Sequence, residues 1–384
     1  MKILQFPIQI LAIETGISEI ADKAKILIYQ EDESLIDKIG FDNDKAFLEP
    51  SLFYYLRKRA FNELPKINIS QIISGYCLEN IEKLDVFADE NGVCYLPNLG
   101  YAILDNTVNH YSNVRLNLKN RTLENGKLNP LNASIPIQQG TFYACYHQPE
   151  IFEEMGVELN ENMFSSTSKM LPFCNEALNI IQKFIPDYYE LIKLTTREFV
   201  LFNSSNTESF AALHHFGTAF LNSYNTTPSV ISMVEDIAHQ CGHTLFYTLT
   251  HDSNRHLKVP KDTPLKNFTG RDYESRDVFG AFHGNFTFTA IFNCFDKLME
   301  SDILRGDDKL ELLGRIGIGL NKFGLGIKDF EDTNSLLTDE GKIFQEYFIQ
   351  SFEYVRDKYW KDVSHFNYSN QPYSFNFEKF KEIN

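Results

Sequence analysis

The order of apolar and polar residues predicts helices near the start of the chain and short strands after them. Around residues 48–64, Pro50 can open a helix in which Leu52, Tyr55 and Leu56 recur at helical spacing. Farther along, short apolar runs separated by Asn, Gly and Pro predict strands joined by loops. These runs are 93–96, 101–104 and 141–145.

The second half of the chain predicts long helices and two more strands. A helix is expected over 175–194, and strands over 198–202 and 218–221. Next comes a helix ending near Thr250, with Thr227 as its cap and Pro228 in its first turn. Apolar residues occupy most of its circumference, which predicts that it is buried. They are Val230, Ile231, Val234, Ile237, Ala238, Cys241, Leu245, Phe246 and Leu249.

This buried helix carries two histidines, His239 and His243, four residues apart. At that spacing both imidazoles project from one helix face and can hold one metal ion. In zinc peptidases with the same spacing, the residue after the first histidine is a glutamate that takes a proton from the metal-bound water. Gln240 stands there instead, and a neutral amide exchanges hydrogen bonds but has no basic lone pair near pH 7. The pattern therefore retains two metal ligands and lacks the base for peptide hydrolysis.

A third ligand is expected from His283, in another apolar stretch that predicts a buried helix. Gly280 and Gly284 flank it, and each costs a helix about 1 kcal/mol, which implies a reason for their presence. We expect them to let this helix approach the first one near Gly242 and so bring His283 to the metal. The alternative is that the two glycines mark a loop or a kink.

The charged segment 271–277 lies between these helices. Arg276 falls at the start of the second helix, where a guanidinium and free backbone N–H groups form an anion site for a dicarboxylate. The alternative is an ordinary solvated turn. Glu274 and Asp277 are the substitute ligands if the site consists of two histidines and one carboxylate. Glu235, one turn before the first histidine, is the substitute base if the protein is a zinc hydrolase.

The remaining histidines near this region have simpler interpretations. His214 and His215 precede a predicted strand, and at most one can face a pocket because neighbours on an extended chain point in opposite directions. His251 and His256 follow the helix that carries His239 and His243, and they are expected to cap its C-terminus or to lie in solvent.

Taken together, these residues resemble the 2-oxoglutarate-dependent HExxH-type peptide beta-hydroxylases, a family that modifies ribosomally made precursor peptides. The resemblance covers roughly residues 205–300 and consists of an HxxxH helix, a loop with two arginines and a Gly-x-x-His-Gly segment. The matching residues are His239, His243, Arg271, Arg276, Gly280, His283 and Gly284. Gln240 departs from the family's glutamate, but O₂ activation on Fe(II) does not depend on a hydrolytic base. The departure therefore argues more strongly against a peptidase.

The resemblance implies an enzyme that binds Fe(II) and uses 2-oxoglutarate and O₂ to oxidise a peptide side chain. His239 and His243 would hold the iron with His283 as third ligand, while Arg276 or Arg271 would hold the far carboxylate of 2-oxoglutarate. Gln240 and Arg276 are the residues expected beside the reaction. The alternatives are a zinc hydrolase with a relocated base and a non-catalytic protein that binds metal or peptide.

The expected fold is α+β, with a zincin-like metal-binding helix core, a mainly helical remainder and a small mixed sheet. We expect residues 1–195 to form a helical and strand-containing region that is suited to peptide binding. Residues 196–384 are expected to form the metal-binding region. With 384 residues, 43% of them hydrophobic, the chain can bury one large core or two joined ones.

Charge and cysteine usage limit the partners and the compartment. The net charge of −16 disfavours binding to nucleic acid or anionic membranes and favours a basic peptide. The cysteines occur singly, which fits free thiols in the reducing cytoplasm. They are Cys77, Cys94, Cys145, Cys174, Cys241 and Cys294. The apolar run at residues 1–12 is interrupted by Gln5, Pro7 and Gln9, so we expect mature sequence and not a secretion signal.

Overall fold

The computed structural model describes residues 10–88, 92–105, 111–130, 137–138, 148–161, 163–224, 229–331, 333–372 and 374–384. This part of the chain is mainly helical and contains three small sheets of three strands each. The predicted mixture of α and β structure is confirmed. No helix within these ranges has both the length and the apolar character needed to cross a bilayer.

The chain forms two compact units that alternate along the sequence. The first comprises the described parts of residues 1–13, 172–192 and 225–384, and the second those of residues 14–171 and 193–224. The predicted boundary between residues 195 and 196 therefore falls inside the second unit.

The described helices are α1 (Ile10–Glu31), α2 (Ser34–Ile39), α3 (Asp44–Phe47), α4 (Pro50–Ala60), α5 (Ile69–Ile73), α6 (Gln148–Glu154), α7 (Met163–Phe184), α8 (Pro186–Thr195), α9 (Val230–Thr250), α10 (Lys266–Thr269), α11 (Val278–Glu300), α12 (Gly306–Asp329), α13 (Thr333–Leu336), α14 (Asp339–Val363) and α15 (Phe377–Ile383). Helix α4 begins at Pro50, as predicted, because proline's fixed φ and missing N–H suit a first turn. The single helix predicted over 175–194 is instead α7 followed by α8. Pro186 begins the second of them, at a position where proline would break a continuous helix.

The described strands are β1 (Ile81–Phe87), β2 (Val93–Leu96), β3 (Gly100–Leu104), β4 (Tyr111–Asn117), β5 (Thr122–Leu123), β6 (Gly126–Pro130), β7 (Ile137–Gln138), β8 (Glu198–Phe202) and β9 (Thr218–Asn222). The predicted strands at 93–96, 101–104, 198–202 and 218–221 are confirmed. The one at 141–145 lies outside the described residues.

All three sheets belong to the second unit. Two are antiparallel, in the orders β1-β4-β5 and β2-β3-β6, and their side chains share one buried core that includes Leu84, Leu96 and Val114. The third is parallel, in the order β7-β8-β9. Every residue of β8 and β9 is buried, which explains the uninterrupted apolar runs 199–202 and 219–221 inside them.

The first unit is built around helices α9, α11, α12 and α14. Ser229 caps α9 by accepting a hydrogen bond from the Ser232 N–H, and the Ser232 hydroxyl accepts one from the Ser229 N–H in return. The predicted cap, Thr227, lies outside the described residues. The helix ends at Thr250, as predicted. In the core, the Phe246 ring stacks on Phe286 with 4.4 Å between centroids.

Helices α9 and α11 approach closely at Gly242. A Cβ atom added there would lie 3.4 Å from both the Thr287 Cγ2 and the Ala290 Cβ of α11. The predicted close approach of the two helices is therefore present. However, Gly280 and Gly284 of α11, which were expected to allow it, do not lie at the contact. A Cβ at Gly280 would meet the Asp277 carboxylate, and one at Gly284 would face the Arg276 guanidinium.

The described cysteines, Cys77, Cys94, Cys174, Cys241 and Cys294, are all free thiols. Cys145 lies outside the described residues. The pKa of the Cys174 thiol is raised to about 12, chiefly by burial, which keeps this thiol protonated and unreactive at neutral pH.

The Gly242 contact gives a test of the helix pairing. Gly242→Ala should be tolerated and should gain up to about 1 kcal/mol of helix propensity, because a 3.4 Å contact is ordinary van der Waals packing. Gly242→Leu should lower the free energy of unfolding by about 1–3 kcal/mol through overpacking. The measurement is urea unfolding of both variants, with Gly284→Ala as the control. Equal stability of the alanine and leucine variants at position 242 would contradict the close approach.

Candidate functional site

His239 and His243 lie one turn apart on α9, and their ring centroids are 5.1 Å apart. Both side chains are half-buried. The helix thus brings the two imidazoles together as their four-residue spacing predicts.

His283 joins them from α11. Its ring centroid lies 6.0 Å from that of His243, and the two rings are nearly parallel at 13°. The three imidazoles therefore form one group, the histidine cluster (His239, His243 and His283). Aromatic rings surround His283, with centroids 4.1 Å away for Phe279, 4.4 Å for Tyr247 and 4.6 Å for Phe246.

The ring nitrogens do not form a completed ligand set. Among the described residues, no group of three or more His, Cys, Asp or Glu side chains is arranged to hold a metal ion. The structure brings the predicted ligands together as neighbouring rings, whereas a zincin-like three-ligand centre is not shown.

Burial keeps the histidine cluster neutral. Loss of hydration lowers the pKa of His239 to about 4 and that of His243 to about 3, and it lowers the pKa of His283 well below its usual value. At pH 7 the three imidazoles are therefore uncharged, which is the form that binds metal ions.

His283 is held by α9 through a hydrogen bond as well as by packing. Its Nε2 lies 2.8 Å from the Thr250 hydroxyl, which also donates to the Phe246 carbonyl at 2.6 Å. The Nδ1 atoms of His243 and His283 are buried and have no hydrogen-bond partner in the described part of the chain. Buried polar atoms of this kind are places where a ligand can complete the bonding.

Gln240 is 1% exposed, and its Oε1 is another buried atom with no partner within the described ranges. Leaving such an acceptor unsatisfied costs about 1–3 kcal/mol. A glutamate at this position would bury a negative charge at greater cost. The neutral amide is therefore suited to this environment in a way that a carboxylate is not.

The two arginines of segment 271–277 are paired with carboxylates of the same chain. Arg276 donates to Glu274 from Nε at 2.8 Å and from Nη2 at 2.6 Å, and its Nη2 also lies 3.1 Å from Asp329 Oδ2. Arg271 forms an ion pair with the other oxygen of Asp329. The segment is thus largely exposed to solvent, but its two arginines are held by ion pairs. An anion that binds Arg276 must compete with two internal carboxylates.

Arg276 nevertheless lies against the part of α11 that carries His283. A Cβ at Gly284 would be 3.8 Å from Arg276 Nη1. The first turn of α11 is capped by Asp277, whose carboxylate accepts from the Gly280 N–H at 2.6 Å. Of the two parts predicted for the anion site, the helix end is therefore already capped, and the guanidinium is the part that the structure leaves as a candidate.

The substitute ligands and the substitute base are engaged elsewhere. Asp277 caps α11, and Glu274 holds Arg276, whose guanidinium lowers the Glu274 pKa to about 2. Glu235 forms an ion pair with Arg315, with 2.5 Å between Glu235 Oε2 and Arg315 Nη1. A base that must first leave an ion pair is poorly prepared to accept a proton from water.

Three further residues at the site, Thr250, Asp329 and Lys322, belong to no motif in the sequence. Asp329 lies 53 residues from Arg276, and Thr250 lies 33 residues from His283, so no local pattern links them. Lys322 of α12 adds a positive charge near His239 and contributes to lowering its pKa.

The remaining histidines have structural roles. His251 Nδ1 donates to the Thr248 carbonyl at 3.0 Å, and His256 Nε2 donates to the Leu249 carbonyl at 3.1 Å, which confirms the predicted capping of α9. His214 and His215 belong to the second unit and lie in a short 3₁₀ turn, so the expected extended chain is wrong. His215 is fully buried.

Acid should destabilise the metal-free protein through the histidine cluster. The folded-state pKa values of about 4 and 3 lie below the usual 6.5, so on acidification the unfolded chain takes up protons first. The free energy of unfolding should therefore fall as the pH drops from about 6.5 toward 4. Urea unfolding across this range should show a shallower fall for the double variant His239→Gln, His243→Gln. His365→Gln, at an exposed position, is the control. Parallel profiles would contradict the neutral cluster.

Comparison with known proteins adds no relative, since no protein-family model matches the chain and no curated protein matches it significantly.

Proposed function

We propose that this protein is a non-heme Fe(II) enzyme that uses 2-oxoglutarate and O₂ to oxidise a side chain of a ribosomally made peptide. The observation that carries the proposal is the histidine cluster, in which three uncharged imidazoles are neighbours. The substitute ligands Glu274 and Asp277 and the substitute base Glu235 are held in other interactions.

The donor atoms suit a divalent first-row metal. Neutral imidazoles are ligands for both Fe(II) and Zn²⁺, so the type of reaction depends on the groups that surround the metal. The unpartnered Nδ1 atoms of His243 and His283 are candidates for ligation. Bound iron would supply O₂ activation. The rings of Phe246, Tyr247 and Phe279 would exclude water from the cluster.

Hydrolysis has weaker support. It requires a base beside the metal-bound water, and the residue after the first histidine is a buried amide. The substitute, Glu235, is bound to Arg315, which in turn holds Glu311 at 2.7 Å. Moving Glu235 to the cluster would leave the side chain of Arg315, which is only 5% exposed, with one of its two carboxylates.

Arg276 is the proposed anchor for the distal carboxylate of 2-oxoglutarate. Its guanidinium lies beside the α11 turn that carries His283, and guanidinium groups bind carboxylates through two parallel hydrogen bonds. Glu274 already occupies such a pair of donors, so the co-substrate would have to replace it. The net charge of −16 favours a basic peptide as the substrate.

The metal site is tested by titrating Fe(II) into the anaerobic protein. His239→Ala and His243→Ala should each weaken binding by more than the 10–100-fold typical of residues that only support a ligand, because each removes a ligand. His251→Ala is the control, since this histidine caps α9 without joining the cluster. Turnover of 2-oxoglutarate in the presence of O₂ then tests the reaction class.

Two outcomes would replace the proposal. A wild-type protein that binds no Fe(II) would point to a non-catalytic, peptide-binding role. Peptide hydrolysis with Zn²⁺, by the wild type or by Gln240→Glu, would point to a zinc hydrolase or to a disabled one.

Opposite effects are expected from the two members of the Arg276–Glu274 pair. Arg276→Lys should weaken 2-oxoglutarate binding to the Fe(II) protein by about 1.5–3 kcal/mol, because a charge-assisted hydrogen bond is lost. Glu274→Gln should strengthen it, because the competing negative charge is removed. Calorimetric titration under anaerobic conditions measures both. If neither variant changes 2-oxoglutarate affinity while Fe(II) affinity stays constant, Arg276 is not the anchor.

A further inference from the structure

The hydroxyl of Thr250 makes two short contacts at the end of α9. Its Oγ1 lies 2.6 Å from the Phe246 carbonyl oxygen and 2.8 Å from His283 Nε2. Thr250 and His283 are each 1% exposed, so water does not compete for either bond.

The hydroxyl proton can serve only one of these contacts. A carbonyl oxygen accepts but never donates, so the 2.6 Å contact requires that the threonine proton go to Phe246. The second contact then requires a proton from the imidazole. His283 must therefore carry its proton on Nε2 and donate it to Thr250 Oγ1.

This assignment fixes the other ring nitrogen. A neutral imidazole has one N–H, so His283 Nδ1 holds a lone pair. That atom is buried and has no hydrogen-bond partner among the described residues. Metal-binding histidines commonly combine one nitrogen hydrogen-bonded to the protein with one nitrogen on the metal.

We propose that Thr250 is a positioning residue that fixes His283 as its Nε2–H tautomer and so makes Nδ1 the nitrogen this histidine offers to the metal. The identity of the ligand rests on the proposed function, whereas the tautomer rests only on the hydrogen bonds. Phe246 helps to position His283 in two ways. Its carbonyl orients the Thr250 hydroxyl, and its ring packs against the His283 imidazole.

Thr248 provides a matched control on the same helix. Its buried hydroxyl donates to the Thr244 carbonyl at 3.0 Å, the same four-residue back bond that Thr250 makes. None of the hydrogen bonds of the described chain joins the Thr248 hydroxyl to an imidazole. Thr248→Val therefore removes the same kind of hydroxyl-to-carbonyl hydrogen bond as Thr250→Val, but it leaves the contacts of His283 unchanged.

The tautomer can be measured before any metal is added. In metal-free protein labelled with ¹⁵N-histidine, the His283 signals should show a protonated Nε2 and an unprotonated Nδ1. Thr250→Val keeps the side-chain shape and removes the hydroxyl, so the two nitrogen signals should shift toward each other as the tautomers mix. Thr250→Ser should restore the wild-type pattern, and Thr248→Val should leave it unchanged.

Titration of Fe(II) and of Co²⁺ into the same proteins tests the consequence for the metal. Thr250→Val should weaken binding about 10–100-fold, with recovery in Thr250→Ser and little change in Thr248→Val. A wild-type His283 with its proton on Nδ1, or unchanged signals in Thr250→Val, would overturn the inference even if metal binds. A wild type with the expected tautomer that binds neither metal would overturn the metal role of Nδ1 and the proposed function, but not the tautomer assignment.

Discussion

The close contact between α9 and α11 is the constraint on which the candidate site depends. The helices approach so closely at Gly242 that a Cβ atom there would already be in van der Waals contact with Thr287 and Ala290 of α11, which leaves no room for a side chain larger than alanine. At this separation Phe246 stacks on Phe286, and the His283 ring comes within 6.0 Å of His243. A larger side chain at position 242 would separate the helices and would also separate the histidines they carry.

Burial by these same helices determines the chemical state of the histidines. Removing an imidazole from water disfavours its protonated form, so His239 and His243 remain neutral at pH 7. An uncharged ring in an aromatic environment still needs partners for its nitrogens. Thr250 provides one for His283 Nε2, while the buried Nδ1 atoms of His243 and His283 have none among the described residues. The unpartnered nitrogens, together with the neutral state of the rings, are the features that make the cluster a candidate ligand site.

Ion pairs around the cluster restrict the reactions that the site can support. Asp329 is fully buried at the end of α12, where the helix dipole disfavours a negative charge, and the arginines of segment 271–277 compensate it. Arg315 holds Glu235 in a similar way. These pairs withdraw carboxylates from base chemistry, and they make any anion at Arg276 compete with Glu274. These ion pairs thus argue against hydrolysis. They also lower the affinity expected for a dicarboxylate at Arg276.

The local pattern of the sequence determined helices α9 and α11, strands β2, β3, β8 and β9, and the shared face of His239 and His243, because these depend on residues a few positions apart. The capping of α9 by His251 and His256 was predictable for the same reason. The glycine that permits helix contact was identified at position 242, but the roles given to Gly280 and Gly284 were wrong, because a helical pattern does not show which face meets a partner. Only the tertiary structure decided the contacts of Arg276 with Asp329, of Glu235 with Arg315 and of His283 with Thr250. Each of these contacts joins residues 33 or more positions apart, and side-chain hydrogen bonds over such separations leave no periodicity in the sequence.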